Sequence, residues 1–362
     1  MIQLESLKLQ NFRGFDKLKI DGFSKINVLL GENNSGKTSV LESIFLLSGM
    51  SNPQLALNIN SMRGIPLNKR VLKYIFYNLD LSNKSIISGD FSRDTNRKVE
   101  ISPVFEKNVV SRDIDTSAQE NLSSAVSVVS TPDILGLDYS FTLKKVHEQT
   151  KNFKTLLRFE KEGVKQFLSS NYKEDILSTF LSSGNVDTGL SDRLKTLFVA
   201  KKEHIVNDLL SKFDPKIKGL NLVGNDIYID KEGISERIPL KLMGDGVRHF
   251  LNITATIAAS NEQNFIYLID EIENGLHYKS QELMWQTLFS LTRNANIQLF
   301  ITTHSLEMLQ SMTNVLKQSE NVDMQDNVKV ISIVNTLIEG FQSYSRSFEG
   351  LDLSLENEME IR

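Results

Sequence analysis

No cysteine occurs anywhere in the 362 residues. That excludes a disulfide framework, thiolate zinc clusters, Cys-ligated iron–sulfur centres and thiol catalysis. Long apolar runs are also missing. No stretch is long enough to cross a bilayer, so no membrane partner is expected. The opening Met1-Ile2-Gln3-Leu4-Glu5-Ser6-Leu7-Lys8-Leu9-Gln10 alternates like a strand and lacks the form of a signal peptide. A cytoplasmic location is the default expectation. An excess of positive charge is absent as well, with 41 Lys and Arg against 45 Asp and Glu for a net charge of −4. That speaks against a generally basic nucleic-acid binder and leaves only a local basic patch open. The remainder is ordinary for a globular protein, at 40% hydrophobic and 24% charged residues. The length allows two or three domains, or one large head with insertions.

The most informative stretch is Gly31-Glu32-Asn33-Asn34-Ser35-Gly36-Lys37-Thr38, which fits the phosphate-loop pattern G-x-x-x-x-G-K-[ST]. Its flanks are right for that motif. Ile26-Asn27-Val28-Leu29-Leu30 reads as a buried strand, and Ser39 to Leu47 places apolar residues at helical spacing. A strand feeding a Gly-rich turn that opens a helix aims backbone N–H groups and the positive helix end at phosphate oxygens. Gly31, Asn33, Asn34, Ser35, Gly36 and Ser39 belong to this cradle. Lys37 would reach the β- and γ-phosphates, and the Thr38 hydroxyl would ligate Mg²⁺. ATP and Mg²⁺ are the expected cofactors.

The second half of the chain supplies matching chemistry. Phe265-Ile266-Tyr267-Leu268-Ile269-Asp270-Glu271 reads as a buried parallel strand delivering two carboxylates at its C-terminal end. Asp270 would hold the metal, through water, and Glu271 would orient and polarise an attacking water. Ile297 to Thr303 reads as another buried strand, ending at Thr302-Thr303-His304-Ser305. Between the halves, Gly244-Asp245-Gly246 precedes a helix that starts near Phe250, so its N–H groups could meet an anion.

Several of these stretches resemble one family. The L-x-x-F-R-x-F opening around Phe12-Arg13-Gly14-Phe15, followed by G-E-N-N-S-G-K-T-S-V-L-E-S-I, is similar to the ATPase heads of RecF, the SMC proteins and the OLD (overcoming lysogenization defect) nucleases. The resemblance implies an α/β fold, an ABC/SMC-type P-loop NTPase head with an antiparallel β lobe and a helical insertion. It implies that Arg13 lies beside bound nucleotide. It also implies that Gly244, Asp245 and Gly246 form a signature motif touching nucleotide held by a second subunit, with Met243 in place of the usual serine. His304 would be the switch histidine meeting the γ-phosphate or the attacking water. Glu273-Asn274-Gly275-Leu276-His277 resembles a segment that crosses the dimer interface, and His277 is either a partner contact or a helix-start residue. The glutamine that helps hold Mg²⁺ in SMC-like heads has no clear counterpart, Gln54 and Asn78 being the nearest candidates. A homodimer or higher oligomer follows from the resemblance. OLD nucleases continue into a Toprim domain for which no room remains, so the expected relatives are stand-alone ATPases of anti-phage systems such as PtuA and AriA. A separate effector protein is then the expected partner, the alternatives being a clamp on DNA as in RecF or a nucleotide-dependent scaffold with no nucleic-acid contact.

The organisation expected along the chain is an N-terminal half over 1–163, a helical insertion over 164–214 and a C-terminal half over 215–362. Ser51 to Asn68 reads as polar and turn-rich, and Ser111 to Leu135 as loop. An antiparallel strand pair is expected at Ser85–Phe91 with Lys98–Phe105, and two further strands at Tyr139–Leu143 and Phe153–Phe159. A hairpin is expected over Leu220–Asp230. The cluster Arg193, Lys195, Lys201 and Lys202 is either a solvated helix face or a contact to nucleic acid or a partner.

Overall fold

The computed structural model describes residues 2–105, 134–169, 172–182, 184, 189–260 and 264–357. Alternation with a period of two builds the N-terminal lobe. Strands β1 (Leu4–Phe12), β2 (Phe15–Asp21), β4 (Ser85–Phe91), β5 (Thr95–Phe105), β6 (Ile134–Lys145), β7 (Lys151–Glu160) and β8 (Gly163–Phe167) form one antiparallel sheet in the order β2-β1-β4-β5-β6-β7-β8. On β6, Leu137, Tyr139, Phe141 and Leu143 are buried, while the intervening Asp138, Ser140 and Thr142 are half-exposed. One face therefore meets the core and the other meets water.

Continuous apolar runs build the second sheet. Its order is β16-β15-β3-β14-β13-β9, from β3 (Ile26–Leu30), β9 (Leu177–Leu181), β13 (Phe265–Ile269), β14 (Ile297–Thr303), β15 (Val328–Thr336) and β16 (Gly340–Arg346). All neighbours are parallel except the edge pair β15–β16. Both faces are covered, which is why β3 and β14 are buried along their whole length. Helix α1 (Lys37–Ser48) fills the space between the two sheets, touching β4, β5, β9 and β13. Helices α5 (Asp245–Ala258), α6 (Tyr278–Thr292) and α7 (Leu306–Lys317) pack their apolar stripes on the opposite face. The buried Gln298 of β14 stitches the sheets together. Its amide donates to the Leu4 and Ser24 carbonyls, both at 2.8 Å, and its oxygen accepts from the Leu4 N–H at 2.9 Å.

The structure departs from expectation in two places. The polar stretch after α1 contains a helix, α2 (Leu55–Met62), whose Leu55, Leu57 and Ile59 are buried. The segment read as helical from 164 contains β8 and then β9, and β9 is the outer parallel strand of the central sheet, beside β13. Helices start only at α3 (Leu190–Val199) and α4 (Glu203–Phe213). A five-residue strand is too short to show a period of its own, and its place is set by β13, more than eighty positions away in sequence. The basic cluster on these helices is divided. Arg193 turns inward and donates to Asn252 Oδ1 at 3.0 Å, while Lys195 pairs with Asp192 at 3.3 Å.

The hairpin forms as expected from β10 (Ile217–Val223) and β11 (Asp226–Lys231), with the short β12 (Ile238–Pro239) alongside. The loop expected at Ser111 to Leu135 lies outside the described residues, apart from Ile134 and Leu135, which begin β6. Near the end, α8 (Phe348–Glu356) packs on β15 and β16, its start capped by the Ser347 hydroxyl.

Candidate functional site

Parallel strands deliver their C-terminal ends to one edge, and there the candidate residues meet. A cavity of about 670 Å³ is lined by Asn33, Asn34, Gly36, Lys37, Thr38 and Ser39 of the loop and α1. Asp270 and Glu271 after β13, and Thr302, Thr303 and His304 at the end of β14, line the same cavity, with Gly14 and Arg63 at its side.

The loop is shaped by its own backbone. Gly36 has φ +89°, and a Cβ there would fall 2.3 Å from the Phe15 ring, so only glycine fits both the dihedral and the space. Phe15 is fixed in turn by an edge-on contact with Phe341, centroids 4.8 Å apart. Lys37 Nζ donates to the Gly31 and Glu32 carbonyls, each at 2.8 Å, closing the loop over the start of α1. The Ser35 hydroxyl is buried beside Gly31 without a hydrogen-bond partner.

Across the cavity, Thr38 Oγ1 lies 3.0 and 3.1 Å from the two Asp270 carboxylate oxygens, joining residues 232 positions apart. Thr302 Oγ1 donates to Asp270 Oδ1 at 2.7 Å and accepts from the Glu271 N–H at 2.8 Å. That second bond, with Ile272 N–H donating to the Thr302 carbonyl at 3.1 Å, holds Glu271 at φ +55°. Such a left-handed conformation is unfavourable for a non-glycine residue and persists only where its surroundings enforce it. Burial pushes the Asp270 carboxyl above the usual carboxylate range, partly offset by the two threonine hydroxyls. A cation beside it would reverse that shift. The oxygen donors of Thr38 and Asp270 suit a hard divalent ion that takes its other ligands from water and phosphate. Among the described residues, no cluster of three His, Asp or Glu groups could hold a metal unaided. The donor set fits Mg²⁺.

His304 stands at the rim with Nδ1 2.8 Å from Glu273 Oε1, and its N–H donates to the same oxygen at 2.8 Å. Arg13 does not line the phosphate cavity. It lines a neighbouring one of about 350 Å³ with Gly14, Ser39, Arg63 and Asn78, and its buried guanidinium meets the Glu42 carboxylate at 3.0 Å and the Tyr74 carbonyl at 3.0 Å. Glu42 is buried on α1 and also takes Arg63 Nε at 2.6 Å. Gln54 starts α2 and hydrogen-bonds Gln166, away from the cavity. His277 caps α6, its Nδ1 accepting from the Lys279 N–H at 3.4 Å. Gly244, Asp245 and Gly246 start α5, and none of them lines the phosphate cavity.

Arg63, Thr302 and Ser182 are site residues that sequence reasoning did not single out. Arg63 follows the unrecognised α2. Ser182 follows β9 and shares a cavity of about 560 Å³ with Thr38, Asp270 and Glu271. The apolar run ending in Thr302-Thr303 carried the one available signal.

A phosphate loop on one parallel strand, faced by carboxylates and a histidine from the next two, defines an ABC/SMC-type P-loop NTPase head. The profile of the family described as AAA ATPase domain matches residues 2–182 and 145–309, and the chain belongs to that family. It is an ATPase. An "ATP/GTP phosphatase" of Helicobacter pylori is 28% identical over 348 residues, covering 88% of this chain and 89% of its own length. The "DNA replication and repair protein RecF" of Francisella tularensis is 22% identical over 350 residues, covering 83% and 94%. Among solved structures, an SMC head bound to the C-terminal winged-helix domain of ScpA superposes with a TM-score of 0.51 at 13% identity, over 96% of this chain and 98% of that one. That likeness concerns the fold. No helix among the described residues is long and apolar enough to cross a membrane.

Proposed function

We propose that this ATPase is a dimerising switch that closes around ATP and opens on hydrolysis. One observation carries the reading: the cavity gathers the phosphate loop, Asp270, Glu271 and His304, while the helix-start glycines Gly244 and Gly246 lie outside it. A second chain placing those N–H groups against the γ-phosphate would complete the site, so ATP would hold two copies together.

In this reading Lys37 and the loop N–H groups of residues 33–39 bind the β- and γ-phosphates. Thr38 and Asp270 hold Mg²⁺, which supplies charge neutralisation at the phosphates. Glu271 accepts a proton from the water that attacks the γ-phosphorus, and ADP leaves with inorganic phosphate. Arg63 adds a cationic group at the cavity wall, with Glu42 setting its direction. His304, oriented by Glu273, reports whether the γ-phosphate is present. Arg13 acts at one remove, by fixing Glu42. The name of the Helicobacter pylori relative makes GTP a second substrate to compare with ATP.

Glu271→Gln tests the assignment. It should bind ATP about as tightly as wild type, lose roughly 100- to 10,000-fold in turnover, and run as an ATP-dependent dimer in size-exclusion chromatography. Undiminished hydrolysis in that variant would sink the role given to Glu271. What the switch controls is a finer proposal. The resemblance to stand-alone ATPases of the PtuA and AriA kind favours a regulatory ATPase of an anti-phage system acting on a separate effector. The match to RecF over 350 residues supports a second reading, a clamp on DNA. Salt-dependent binding of duplex DNA by the ATP-bound Glu271→Gln protein would favour the clamp, and co-purification of a nuclease or toxin-like protein would favour the effector.

A further inference from the structure

The start of α5 and the turn that carries Glu271 are packed against each other more closely than side chains would allow. A Cβ on Gly246 would fall 2.3 Å from the Gly275 carbonyl oxygen, and a Cβ on Gly275 would fall 2.9 Å from the Gly246 nitrogen. Phe213, the last residue of α4, backs this contact. Its ring edge lies 3.6 Å from the position of a Gly246 Cβ, and its ring packs on Phe250 with centroids 4.7 Å apart.

One turn further along α5 sits His249, buried to 3% exposure. Its ring hydrogen-bonds the backbone of Ile272, the residue after Glu271, and Nε2 has no partner. An aliphatic side chain could fill this space. A buried imidazole using one nitrogen for one carbonyl is a costly choice unless that bond sets a geometry. The geometry in question is the left-handed Glu271, which Thr302 of β14 also holds, through the Glu271 and Ile272 N–H groups.

We propose that His249 is a positioning residue for the ATPase reaction: by holding the Ile272 carbonyl it fixes the Glu271 turn from α5, as Thr302 does from β14. Together with the Gly246–Gly275 contact, it makes the signature end of α5 and the catalytic turn of the same chain one rigid piece. This rests on the dimer reading for its consequence. In a dimer the signature end of one chain faces the partner's nucleotide, so engagement there would be felt at the chain's own Glu271.

The test compares His249→Leu, which keeps bulk and removes the donor, with His249→Asn, whose amide nitrogen stands where Nδ1 stood. Turnover, affinity for a fluorescent ATP analogue and ATP-dependent dimerisation are measured for each. His249→Leu is expected to lose roughly 10- to 100-fold in kcat, with analogue affinity and dimerisation unchanged, while His249→Asn keeps most of its turnover. Full turnover in His249→Leu, or an Asn variant as slow as the Leu variant, overturns the proposal. Should His249→Leu fail to fold, His249→Gln replaces it, since its amide reaches past the Nδ1 position. Turnover below that of His249→Asn then supports the proposal, and equal turnover overturns it. Wild-type turnover per chain that does not depend on protein concentration would defeat the dimer reading alone, because the His249 comparison does not use it.

Discussion

The phosphate loop and the start of α5 are both glycine-bearing turns ahead of helices, yet they are built in opposite ways. The loop is enclosed by the β1–β2 turn, the residue after α2, the carboxylates after β13 and the end of β14, and its lysine is folded back onto the loop's own carbonyls. The start of α5 is open, with Gly244 and Asp245 exposed and nothing within 4 Å of where a Gly244 Cβ would stand. Enclosure suits a site that must bind nucleotide within one chain. Openness suits a surface whose ligand arrives on another chain. Substitutions at the two places should therefore separate binding from assembly.

The largest effect is expected at the enclosed end. Lys37→Ala should weaken ATP binding by about 100-fold or more, the scale of losing a charge-assisted contact to phosphate, and titration calorimetry would read it directly. Retained affinity would place the phosphates elsewhere. At the open end, Gly244→Asp introduces a carboxylate at a backbone conformation that any residue adopts, φ −61° and ψ 151°. It should leave ATP affinity within about twofold, yet abolish ATP-dependent dimerisation, because like charges would meet at a cost of several kcal/mol. Sedimentation velocity with and without ATP decides the point, and a dimer that persists would break the contrast.

A smaller effect belongs to Asp270. Its carboxyl is raised by burial, so the folded chain binds this proton more tightly than the unfolded chain does. The contribution therefore favours the fold below the unfolded value and is lost as pH rises through the raised one. A cation beside the carboxylate would offset the cost of burying its charged form. Asp270→Asn should stabilise the nucleotide-free protein by about 1 kcal/mol and remove the extra stabilisation given by Mg²⁺ with ATP, both visible in thermal melts. The smallest effect is expected for Arg63→Ala, a roughly threefold to tenfold loss of ATP affinity, since the residue is partly exposed and already shared with Glu42.

Legibility followed the same division between local and distant. The strand–loop–helix unit around Lys37 and the strand ends at Asp270 and Thr303 were readable because each is a contiguous run with its own period. Arg63 was not, because the helix before it is eight residues long and its neighbours are polar. The strand β9 was hidden for a related reason, since five residues carry little pattern and their partner is β13. Arg13 was expected beside the nucleotide by resemblance, but its place against Glu42 and Tyr74, outside the phosphate cavity, depends on α1 and the segment before β4.

The amino-acid sequence alone determined the phosphate loop, the two buried strands that end in polar clusters, the absence of thiol chemistry and the alternating lobe. Each depends on residues within one short segment, where backbone preference and apolar spacing are decided locally. Tertiary structure decided the rest: that Thr38 meets Asp270, that Thr302 bonds the Glu271 N–H while His249 bonds the backbone of Ile272, and that Gly246 and Gly275 lie back to back. Those contacts depend on which strands become neighbours in the sheet. That order emerges only when the whole core buries its apolar surface at once.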